Sequence, residues 1–151
     1  MLLHEPQMAA LGARIAAILC PGDVIALSGD LGAGKTTLAR AILAALGLTS
    51  EAPSPSFSIV QPYAPPETRL PVLHVDLYRI NTAADIVELG LDEARSDHAL
   101  MIEWPEHIGD IWRGEMLWLR LDIAGDCDGV SARRLTATVP EAWEARCPFL
   151  K

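Results

Sequence analysis

The feature that most constrains this chain is the segment Gly29-Asp30-Leu31-Gly32-Ala33-Gly34-Lys35-Thr36. It fits the pattern of a glycine, four residues, then Gly-Lys-Thr. The apolar run Val24-Ile25-Ala26-Leu27 precedes it and reads as a buried strand. The segment from Leu38 to Leu46 follows, rich in alanine and leucine, and Gly47 is placed to cap it as a helix. Strand, glycine loop and helix, in that order, form a phosphate cradle. Glycines let successive backbone N–H groups curl around anionic oxygens. The helix aims the positive end of its dipole at the same place.

The spacing therefore predicts a nucleoside triphosphate site, with Mg-ATP as its ligand. Asp30, Leu31, Gly32, Ala33 and Gly34 supply the backbone of the cradle. Lys35 bridges the β- and γ-phosphates as a point charge. The Thr36 hydroxyl is a Mg²⁺ ligand, and Thr37 can reach the α-phosphate. Apart from the terminal Lys151, Lys35 is the only lysine in the chain.

Phosphoryl chemistry also needs a carboxylate near the metal. Two apolar runs end in one: Val72-Leu73-His74-Val75 runs into Asp76, and Ala99-Leu100-Met101-Ile102 runs into Glu103. Strand ends of this kind open on the ligand crevice of an α/β sheet. Asp76 is read as a metal ligand, directly or through water. Glu103 is read as the residue that polarises an attacking water or holds a metal-bound one. His74 lies two residues before Asp76, on the same strand face, and reads as a packed or hydrogen-bonded histidine. Ser56, in Ser54-Pro55-Ser56-Phe57, is a candidate sensor of the γ-phosphate or Mg²⁺. Arg79 suits either a phosphate or an acid, and Trp104 either the nucleotide's surroundings or the core.

The remaining pattern is that of one domain covering residues 1–151. Met8, Leu11, Ile15, Ile18 and Leu19 recur at helical spacing, and Pro21-Gly22-Asp23 ends that helix. Phe57 to Val60 and Val72 to Val75 read as an antiparallel strand pair joined by the proline-rich stretch from Pro62 to Pro71. A helix is expected from Ala83 to Leu89, interrupted by Gly90. Met116 to Ile123 and Arg134 to Val139 alternate as strands, around an acidic turn from Gly125 to Gly129.

Charge narrows the choice of partners. The formal net charge is -8, whereas direct nucleic-acid binding relies on a positive surface that releases counterions. No direct DNA binding is expected. The three cysteines, Cys20, Cys127 and Cys147, are odd in number and widely spaced, so they read as idle thiols of a reducing cytosol. No apolar run reaches the roughly 18 residues of a membrane span. The N-terminus lacks the basic start of a signal peptide, so a cytoplasmic protein with no membrane contact is expected.

These motifs together resemble the TsaE (YjeE) family, bacterial P-loop ATPases of transfer-RNA threonylcarbamoyladenosine synthesis. The resemblance rests on the stretch from Gly22 to Thr36, Ser-Pro-Ser-Phe at 54–57 and Leu-His-Val-Asp-Leu-Tyr-Arg at 73–79. Glu-Leu-Gly-Leu-Asp-Glu at 88–93 and Ile-Glu-Trp-Pro-Glu at 102–106 extend it. It implies an α/β fold, a three-layer P-loop NTPase-like domain with a mixed central sheet. It implies ATP and Mg²⁺ as cofactors, and hydrolysis that is weak without partners. Those partners are the TsaD and TsaB proteins, which hold the transfer RNA, so that this chain meets RNA only indirectly. By position, Lys35 and Thr36 match the phosphate and Mg²⁺ residues. Asp76 matches the acid of the His-x-Asp-x-Tyr-Arg motif, and Glu103 the acid before Trp-Pro. The family usually has threonine where this chain has Ser56, which keeps the hydroxyl and loses a methyl.

Three other readings compete. A small-molecule kinase would need lid arginines, for which Arg95 and Arg113 are the candidates. A Ras-type GTPase would need Asn-Lys-x-Asp, but the only asparagine, Asn81, is followed by Thr82. A pure binding module would use nucleotide only to prop a partner surface.

Overall fold

Val24–Ser28 (β2), Val72–Asp76 (β4) and Ala99–Glu103 (β5) are buried at every position, as strands covered on both faces must be. In the computed structural model, which describes residues 1–55, 59–127 and 130–150, these strands lie side by side and parallel, in the order β2-β5-β4. Val60–Tyr63 (β3) closes one edge, antiparallel to β4. On the other side Leu117–Cys127 (β6) runs parallel to β2. Val130–Thr138 (β7) pairs antiparallel with β6, and Leu2–Leu3 (β1) antiparallel with β7. The sheet is mixed and seven-stranded, in the order β1-β7-β6-β2-β5-β4-β3.

Alternate strand residues build two cores. Ile25, Leu27, Val72, Ala99 and Met101 pack with the helices Glu5–Ile18 (α1) and Lys35–Ala45 (α2). Val24, Ala26, Leu73, Val75, Leu100 and Ile102 pack on the other face with the short helices Ala83–Glu88 (α3) and Leu91–Ala94 (α4). A last short helix, Glu141–Glu144 (α5), adds Trp143 to the first core. The result is three layers, helix, sheet and helix, as the α/β reading expects. Helices α1 and α2 approach closely at Gly12, where a Cβ would lie 2.7 Å from the Ala41 Cβ. Gly47 (φ +116°) ends α2 as expected: its N–H donates to Ala44 O, and the Leu48 N–H to Leu43 O.

The structure moves several boundaries. Helix α2 begins at Lys35, not Leu38, because the loop passes directly into it. Strand β3 starts at Val60 and continues through Pro62, which the sequence assigns to the connection. Proline is tolerated there because β3 is an edge strand with no second neighbour requiring its N–H. Phe57, the expected start of that strand, lies outside the described residues. Gly125, Asp126 and Cys127 belong to β6 rather than to a turn, after a register shift between Ile123 and Asp126. Asp128 and Gly129 lie outside the described residues. The interruption at Gly90 stands: its φ of +65° separates α3 from α4. Among the described residues no helix is long and apolar enough to cross a membrane.

Candidate functional site

Strand β2 ends at Ser28, and the chain turns through three glycines with positive φ: Gly29 at +137°, Gly32 at +77° and Gly34 at +106°. A side chain at Gly29 would strike the Leu121 carbonyl of β6 at 2.1 Å, so close passage under the sheet end demands glycine there. Gly34 is the N-cap of α2. The first N–H groups of a helix have no acceptor within it, so they face the loop mouth as free donors for an anion. One loop amide is already engaged: Ala33 N–H donates to Asp30 O at 3.0 Å, closing a turn. The Gly32 carbonyl accepts from Arg133 on β7 at 3.3 Å, so that peptide is held from both sides.

Lys35 folds back across the loop. Its Nζ donates to the carbonyls of Gly29 at 2.6 Å and Asp30 at 2.9 Å, and lies 4.2 Å from the Trp104 ring centre. The residue is only 5% exposed. Burial pulls its ammonium group below the usual lysine range, opposed by the charges of Glu103, Asp76, Glu106 and Asp30. Trp104 holds a left-handed backbone, φ +58°, immediately before Pro105, and packs on Tyr78 with ring centres 5.0 Å apart and the planes tilted by 48°. A non-glycine residue in that conformation costs on the order of 1–3 kcal/mol, which surrounding contacts must offset. The indole lies over the lysine ammonium group.

Parallel pairing of β4 with β5 sets Asp76 directly beside Glu103. The two acids, Lys35 and Thr36 line one cleft together with Leu31, Gly32, Tyr78 and Trp104. Thr36 Oγ1 donates to Glu103 Oε1 at 2.7 Å, and His74 Nε2 lies 2.7 Å from Glu103 Oε2. Asp76 Oδ1 accepts from the Tyr78 N–H at 2.9 Å. These are hard oxygen donors beside a phosphate-type loop, a set that suits Mg²⁺. Among the described residues no group of three or more His, Cys, Asp or Glu could hold a metal unaided.

The structure brings Leu31, Gly32, Lys35, Thr36, Asp76 and Glu103 together in the cleft, and places Asp30, Ala33 and Gly34 on the loop beside it. Thr37 is exposed on the first turn of α2. Ser56 lies outside the described residues. Arg79 is exposed and borders a shallow pocket with Leu31, Ile59, Asp76 and Tyr78. The two lid candidates are engaged elsewhere: Arg95 donates to the Gly22 carbonyl and to Glu115, and Arg113 to Asp110. Sequence reasoning missed Arg133, the Ser28 hydroxyl donating to Glu106, and the bond from His74 to Glu103. The sequence marks His74 as packed or hydrogen-bonded, but only strand order supplies Glu103 as its partner. Of the cysteines, Cys147 is buried, which raises its thiol pKa, and Cys20 is exposed.

Sheet order and loop define a three-layer α/β domain of the P-loop NTPase-like class. Residues 2–134 match the family model for the threonylcarbamoyl adenosine biosynthesis protein TsaE. A TsaE protein of Streptomyces coelicolor is 38% identical over 138 residues, covering 90% of this chain and 93% of that protein. One from Bacillus subtilis is 36% identical over 150 residues, covering 98% of this chain and 90% of that protein. The crystal structure of Bacillus subtilis YdiB superposes with a TM-score of 0.77 at 30% identity, covering 99% of this chain and 91% of that one. The chain belongs to the TsaE family.

Proposed function

We propose that this chain, acting as one domain over residues 1–151, binds ATP with Mg²⁺ at the Gly29–Thr36 loop. On this reading it hydrolyses ATP to support threonylcarbamoyladenosine formation in transfer RNA by a TsaD–TsaB transferase in the cytoplasm. The observation that carries the reading is the convergence of Lys35, Thr36, Asp76 and Glu103 on one cleft at the start of α2. Loop amides and Lys35 grip the phosphate oxygens. Thr36, Asp76 and Glu103 hold the cation, directly or through water. Bound Mg²⁺ supplies Lewis acidity at the phosphoryl oxygens. Trp104 and Tyr78 wall the cleft and limit water beside the lysine. The net charge of -8 fits a subunit that docks on protein and leaves the transfer RNA to its partners.

The test is a reconstituted assay with TsaD, TsaB, transfer RNA and ATP. Glu103→Ala is expected to retain Mg²⁺-free ATP binding while hydrolysis falls by about tenfold or more, because the hydroxyl and water positions it sets are lost. Free phosphate, not a phosphorylated small acceptor, is the expected product. Normal hydrolysis by the Glu103→Ala protein within the assembly would refute the role given to that residue.

A further inference from the structure

Both oxygens of Glu103 are engaged from within the fold: Oε1 by Thr36 Oγ1 and Oε2 by His74 Nε2, each at 2.7 Å. His74 sits on β4 with no solvent exposure, opposite Met101 of β5. Its other ring nitrogen, Nδ1, is buried and has no hydrogen-bond partner among the described residues.

That asymmetry places a proton on Nε2. With the proton on Nδ1 alone, the Nε2 lone pair would face a carboxylate oxygen, and a buried N–H would have no acceptor. A ring protonated on Nε2 makes the bond to Glu103.

We infer that His74 is a positioning residue: by donating Nε2–H to Glu103 Oε2, it fixes the carboxylate so that Oε1 takes the Thr36 proton. The Thr36 oxygen then presents its lone pairs to a cation. His74 touches neither nucleotide nor metal, and works through Glu103 and Thr36. The role rests on the Mg-ATP reading above, and predicts an effect specific to the cation. Groups that orient metal-site ligands typically change metal affinity by about 10–100-fold when removed.

The experiment measures ATP affinity by calorimetry with and without Mg²⁺, for the wild type and three variants. In His74→Leu the tightening caused by Mg²⁺ is expected to fall by about tenfold, with Mg²⁺-free affinity unchanged. His74→Asn, polar but too short to reach Glu103, is expected to match it. His74→Gln, which carries an N–H at about the distance of Nε2, is expected to recover most of the loss. A purely structural histidine would lower thermal stability and leave the Mg²⁺ dependence intact in all three, and that result overturns the inference. Nitrogen-15 NMR of the nucleotide-free wild type gives a second readout, in which a protonated Nε2 is expected and an unprotonated Nε2 contradicts the role. Wild-type protein that binds ATP no tighter with Mg²⁺ would overturn the cation reading itself. Variants that keep the wild-type Mg²⁺ dependence would overturn only the role of His74.

Discussion

Lys35→Ala is expected to weaken ATP binding by about a hundredfold, or about 2.7 kcal/mol. The size follows from where the ammonium group sits. It is buried, bonded to two loop carbonyls and covered by the Trp104 ring. Glu103, Asp76, Glu106 and Asp30 all act on it electrostatically. Removing this cation would leave a polyanion facing four acids, with backbone dipoles and the bound Mg²⁺ left to attract it. Calorimetry should therefore show lost binding while circular dichroism stays that of the wild type. A change in affinity below about threefold would show that Lys35 does not hold the ligand.

Gly29→Ala is expected to act on the fold itself, lowering stability by about 3 kcal/mol or more. The new methyl would lie 2.1 Å from the Leu121 carbonyl oxygen, in a backbone with φ of +137°. Leu121 is fully buried in β6 and paired with Leu135 of β7, so its carbonyl has little room to withdraw. The cost falls on the junction of β2 with the loop, and the cradle shifts with it. Urea unfolding would measure the loss from the shift in midpoint. The same substitution at Gly32 serves as a control, since a Cβ there meets nothing within 4 Å, although its φ of +77° still disfavours alanine. Equal midpoints for the Gly29→Ala protein and the wild type would contradict the close approach.

Local chemistry was legible in the sequence where it is continuous along the chain. The strand, loop and helix around Gly29–Thr36 could be read from apolar runs and glycine spacing, and so could the acids at the ends of β4 and β5. The sequence expected an antiparallel partner for β4 at 57–60, whereas β3 runs Val60–Tyr63 and takes in Pro62, which the sequence assigns to the connection. What the sequence could not supply depends on strand order. Asp76 and Glu103 become neighbours only because β4 pairs with β5, and β5 lies beside β2, which leads into Thr36. His74 reaches Glu103 through that same pairing, so its partner is invisible in a single strand. The two-residue β1 exists only because β7 offers it an edge, and no local pattern announces a strand so short. Gly125 misled because a glycine beside acids looks like a turn, whereas here it accompanies a register shift within β6.

The central claim is that a magnesium-bound adenine nucleotide occupies the loop between β2 and α2. Isothermal titration of the folded wild-type chain with ATP tests it most directly. The account predicts saturable heat at one site per chain, stronger with Mg²⁺ and lost in Lys35→Ala. A flat titration in the presence of Mg²⁺, from protein whose circular dichroism shows it folded, would contradict it.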